Sequence, residues 1–132
     1  MPPINWLAVL AATVASFAVG ALWYSPLLFT KAWQRESGVT DERAKSSNMP
    51  LIFAGALALT FIATVTFAVF LGPNQSVTSG AEYGLSAGLC WVAAAFGINY
   101  LFERRSFTLF LINGGYNVVM FTVMGTVLAA LS

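Results

Sequence analysis

Apolar residues run along this chain in four long blocks, separated by short segments that hold nearly all of the charge. The eleven charged side chains are Lys31, Arg35, Glu36, Asp41, Glu42, Arg43, Lys45, Glu82, Glu103, Arg104 and Arg105. Uncharged stretches occupy 1–30, 46–81, 83–102 and 106–132. Each is long enough for the ~20 residues with which an α-helix crosses a ~30 Å hydrocarbon layer. Lipid cannot satisfy exposed backbone groups, so crossing segments must be helices or a closed barrel. The blocks are continuous and do not alternate in polarity, which excludes barrel strands. The pattern predicts an all-α fold: a four-transmembrane-helix bundle in a single domain, residues 1–132, with spans at about 4–24, 49–71, 80–102 and 107–130.

Turn and cap residues agree with this division. Pro26 breaks the chain after the first span, and Gly72-Pro73-Asn74 is a stop and turn after the second. Ser79-Gly80-Ala81-Glu82 reads as a capping box for the third span, with Glu82 reaching back to the Ser79 amide. Arg104-Arg105 closes a very short hairpin into the fourth. Between spans one and two, Leu27, Leu28, Phe29 and Trp33 alternate with Lys31, Gln34 and Arg35, which suits a short amphipathic helix at the interface. Gly38 is its expected stop, and Thr40 the expected cap of a second turn over 41–46. Asn5-Trp6 and Trp23-Tyr24 lie where aromatic belts belong.

Charge then orients the bundle. All six Lys and Arg residues fall in the segments after span one and after span three. The positive-inside rule therefore places loops 25–48 and 103–106 in the cytoplasm and both termini on the other side of the inner (plasma) membrane. The first residues carry no Lys or Arg for the positive region of a secretory signal, so the first block is expected to stay as a span.

Composition narrows the chemistry. The 132 residues are 58% apolar and 8% charged, whereas a soluble domain carries about 25% charged residues. A net charge of +1 provides no field to recruit nucleic acid. With no His and the single Cys90 inside an apolar run, Ser–His and Cys–His pairs cannot form, and the usual zinc, copper and haem ligands are missing. No G-x-x-x-x-G-K-[ST] phosphate loop is present. No Lys or carboxylate lies deep in a span, which argues against proton-coupled exchange. No cofactor or metal site is expected, and an enzyme using only Tyr and Asn groups ranks last.

The run Gly20-Ala21-Leu22-Trp23-Tyr24-Ser25-Pro26-Leu27-Leu28-Phe29-Thr30-Lys31-Ala32-Trp33 resembles the signature of a family of small bacterial membrane proteins known as domain of unknown function 1761. Asn113-Gly114-Gly115-Tyr116-Asn117 is similar to that family's last span. The resemblance implies a four-helix membrane protein with no assigned activity, so it transfers no functional residue.

Small residues mark candidate packing faces, because they let helix backbones approach in lipid. Span one carries Ala8, Ala12, Ser16 and Gly20 at steps of four, and span three carries Gly80, Gly84 and Gly88. These stripes pack either the four helices of one chain or two copies together; a homo-oligomer, with a dimer favoured, is the expectation. Intramembrane polar groups are the default binding candidates. Asn113, Tyr116 and Asn117 share one face of span four, Asn99 lies at a depth similar to that of Asn113, and Tyr24 and Trp23 complete the candidate binding set. A sharper version adds Glu103 to Asn99, Tyr24 and Asn113 as a pocket mouth. The plain alternative for the serines and threonines is a bond returned to their own helix. Two functional expectations follow. One is a module that binds or passes a small neutral or apolar molecule along the span-four face. The other is a structural or regulatory subunit that docks a partner through loop 27–46.

Overall fold

The computed structural model describes residues 4–131. Four helices in it are long and apolar enough to cross a membrane. Helix α1 spans Trp6–Trp23, α4 Met49–Leu71 and α7 Phe107–Ala130. The remaining crossing, Val77–Glu103, is composite: α5 (Val77–Ser86), a π-helical segment (Ala87–Ala93) and α6 (Ala94–Glu103). Two short helices, α2 (Thr30–Ser37) and α3 (Asp41–Ser46), fill the connection between α1 and α4. No strand occurs among the described residues.

Local chemistry sets these boundaries. Asn5, Thr40, Asn48, Ser76 and Ser106 each cap a helix by accepting a hydrogen bond from the backbone N–H three residues on. α2 ends at Gly38, whose φ of 81° is the left-handed conformation that glycine adopts without a Cβ penalty. The start of the third span differs from the sequence expectation. Ser76, not Ser79, is its cap: the Ser76 hydroxyl accepts from the Ser79 N–H at 3.0 Å. The helix therefore begins at Val77 and gains most of a turn. Glu82 then lies past the first turn, exposed, with no capping role.

Both segments rich in Lys and Arg sit at one end of the bundle, since Tyr24 meets Asn113 there. At the opposite, uncharged end the Asn5 side-chain amide donates to the Leu131 carbonyl at 2.8 Å, tying the start of α1 to the end of α7. α7 is the hub. α1 and the third span pack on its two sides, while α4 packs mainly on α1 and barely meets the third span. The core, at the uncharged end, contains Ala8, Val9, Ala12, Leu71, Met124, Leu128 and Ala129.

Both stripes of small residues turn inward to α7. Ala8, Ala12 and Ser16 are buried, and a Cβ on Gly20 would meet the Tyr116 hydroxyl at 3.1 Å. The contact with the third span is closer still. A Cβ on Gly80 would fall 2.3 Å from the Gly125 carbonyl oxygen, and one on Gly84 would fall 2.1 Å from that of Phe121. Backbone meets backbone here, so nothing flexible can yield. By contrast, residues 50–59 of α4 are exposed throughout, and Gly55 has open space around it.

Candidate functional site

Two features stand out from the packing: an amide–aromatic cluster at the basic end, and a cleft between α4 and the third span.

The cluster is built around Asn113 on α7. Its Oδ1 accepts from the Tyr24 hydroxyl at 2.6 Å, and its Nδ2 donates to the Tyr100 hydroxyl at 2.7 Å. One turn on, Asn117 is buried and donates from Nδ2 to the Asn113 carbonyl at 2.8 Å. Tyr116 donates to the Met120 sulfur at 3.0 Å and meets Tyr24 edge-on, with ring centroids 5.3 Å apart. Trp23 donates from Nε1 to the Ile112 carbonyl at 2.9 Å, and its ring lies over Gly115, where a Cβ would be 3.1 Å from it. The connecting segment closes the cluster from outside. Trp33 of α2 packs edge-on against Tyr24 at 5.8 Å, Phe29 packs on Trp23 at 4.9 Å, and the Thr30 hydroxyl donates to the Tyr24 carbonyl. Three spans and α2 are thereby locked together by neutral groups, each hydroxyl and amide holding a partner.

Five of the six residues singled out from sequence meet here: Asn113, Tyr116, Asn117, Tyr24 and Trp23. Asn99 does not. It is exposed on the outside of the third span, and Tyr100 occupies the position facing Asn113. Glu103 is also exposed, 4.0 Å from Arg105. The cause lies in the π-helical segment. Residues facing α7 follow the four-residue step from Gly80 to Gly84 to Gly88, then jump five to the buried Ala93. Gly97, against Phe110, and Tyr100 follow. A wider i→i+5 turn holds one extra residue, so everything beyond it is rotated by about 100° relative to an unbroken α-helix. An unbroken helix would turn Asn99 inward.

Six threonine hydroxyls within the spans return to their own helices. Thr13, Thr60, Thr64, Thr66, Thr122 and Thr126 each donate to a carbonyl four residues back. Ser16 differs: its Oγ is fully buried with no partner.

The cleft lies nearer the uncharged end and has a volume of about 840 Å³. Its floor is Phe121 of α7, whose ring lies 6.3 Å from Phe67. One wall is α4, through Ala63, Thr66 and Phe70; the other is Tyr83, Ser86, Ala87, Cys90 and Trp91. No charged residue lines it. Phe70 and Trp91 stand exposed at its edges, 86% and 75% accessible. Sequence reading missed this site because its walls consist of ordinary apolar residues; only the gap between α4 and the third span defines it. A smaller recess of about 260 Å³ lies among Ile4, Asn5, Ala8, Leu71 and Leu128. No group of three or more His, Cys, Asp or Glu comes together among the described residues.

No curated protein and no solved structure matches the chain. A family model does, along residues 7–129 and so across all four spans. The chain belongs to the family described as protein of unknown function, DUF1761.

Proposed function

We propose that this protein is a membrane-embedded binding module that takes a neutral or apolar molecule sideways from the bilayer into the cleft between α4 and the third span. The observation that carries this is the cleft itself. Its volume, about 840 Å³, lies in the roughly 300–1,000 Å³ range of small-molecule sites, which are largely apolar with a few polar groups. Thr66 turns its hydroxyl back to Ile62, leaving Tyr83, Ser86 and Cys90 as the polar groups available to a ligand.

The amide–aromatic cluster supports this reading as a fixed clamp. Its hydrogen bonds are made within the protein, so it holds α1, α7 and α6 in place at the basic end. The single chain is proposed as the binding unit, because both stripes of small residues available to a dimer are used inside it. Docking through 27–46 has less support, since Phe29 and Trp33 are turned into the bundle. The two basic segments at one end fit a cytoplasmic placement of loops 25–48 and 103–106.

The test is native mass spectrometry of detergent-purified protein exposed to dodecanol. Wild type is expected to retain one adduct per chain. Ala87→Trp and Ala63→Trp, which fill the cleft from opposite walls, are expected to lose it with an unchanged melting temperature. Equal retention in the filled variants would refute the reading.

A further inference from the structure

No charged residue lines the cleft, but one acidic side chain is a helical neighbour of its wall. Glu82 lies one turn before Ser86 on the outward side of α5, next to the wall residue Tyr83. It is exposed and has no ion-pair partner; the ion pairs among the described residues are Arg35–Glu36 and Arg105–Glu103, both at the basic end. It is also the one charged side chain outside the two basic segments, so no Lys or Arg can reach it. Its structural use as a helix cap is already taken by Ser76. A lone carboxylate one turn along the helix from the wall of an apolar cleft suits a molecule with an apolar chain and a cationic head.

We infer that the cleft takes a cationic amphiphile, with its apolar chain lying between α4 and the third span and its ammonium head against Glu82. This rests on the cleft reading above and adds the head group to it. The chain fits because the lining has no charge and only neutral polar groups. The head fits because an N–H donor on a carboxylate makes a charge-assisted hydrogen bond, roughly twice as strong as a neutral one. An anionic head would meet like charge with no base to offset it. The π-helical segment contributes the same wall: it sends Gly88 and Ala93 to α7 while leaving Cys90 and Trp91 on the cleft. Single-turn π segments of this kind recur at functional sites.

The experiment uses the full chain in phosphatidylcholine nanodiscs and a long-chain amine bearing a photoactivatable group at the tail end. Cross-links are expected on 63–71 and 83–92, mapped by mass spectrometry. Dodecylamine is expected to displace the probe about tenfold better than dodecanol, a difference of about 1.4 kcal/mol, and dodecyl sulfate is expected to be weakest. Glu82→Gln is expected to bring the amine down to the level of the alcohol while leaving the alcohol unchanged. An amine preference that survives Glu82→Gln, or no preference while dodecanol still binds, overturns the head-group assignment and leaves the cleft reading standing. Failure of dodecanol as well removes both. Oxidative cross-linking of Cys90 between two copies in the nanodisc, with no probe labelling of the cleft, would show the occupant to be a second chain and overturn the inference.

Discussion

α4 and α7 are almost the same length and have opposite surroundings. α4 is the more apolar, with a mean hydropathy of 2.2 against 1.5 in its most apolar stretch, yet 6% of that stretch is buried against 33% for α7. In a water-soluble protein the ranking would be reversed. Here apolar side chains gain nothing by turning inward, because lipid is as apolar as leucine, and burial goes to helices whose small residues let backbones approach and whose polar groups find partners. α7 has Gly114, Gly115, Gly125, Asn113 and Asn117. α4 has a single glycine, Gly55, with nothing near it, and no asparagine.

The strongest way to break this contrast is to turn the last part of the third span, Gly97 and Tyr100, off α7. Deleting Ala95, beyond the π-helical segment, would bring Ile98 to the place of Gly97 against Phe110 and Leu101 to that of Tyr100. The expected outcome is loss of monodisperse protein on size-exclusion chromatography. Deleting Cys90 inside the segment would restore a plain α-helical step and keep Ala93, Gly97 and Tyr100 facing α7. That protein is expected to remain monodisperse. If the two deletions behave alike, the register argument fails.

Next in size is the Asn113 clamp. Asn113→Leu leaves the Tyr24 and Tyr100 hydroxyls without their partner, and an unsatisfied buried polar group costs about 1–3 kcal/mol. A drop in thermal stability of that order is expected in detergent, with a smaller one for Tyr24→Phe, which removes one bond. The smallest effect has the opposite sign. Ser16→Ala removes a buried hydroxyl that has no partner, so a gain of up to about 1 kcal/mol is expected. A loss of stability would mean that Ser16 holds a partner in the membrane.

The sequence made the number of crossings and the grouping of basic segments legible, because charge and apolar length report directly on a bilayer. Gly38 and Thr40 could be read as caps for the same local reason. The capping box at Ser79 misled, because Ser76, three residues earlier, offers the same chemistry and a longer helix. Asn99 misled for a deeper reason. Its depth along the span matches that of Asn113, but depth does not fix the face, and the π turn between Gly88 and Ala93 is absent from any local propensity; only the five-residue gap between small residues hints at it. Nor could the cleft be foreseen, because it is a gap between two helices and no residue pattern marks it.

The central claim is that closeness to α7, and not apolarity, decides which positions hold the fold. The most direct measurement compares the thermal unfolding of Gly84→Leu and Gly55→Leu in one detergent. At Gly84 the new side chain has only the α7 backbone before it, and a loss of about 3 kcal/mol or more is expected. At Gly55 it enters lipid, and the better helix propensity of leucine predicts no loss or a gain of up to about 1 kcal/mol. Equal destabilisation by the two substitutions would contradict the account.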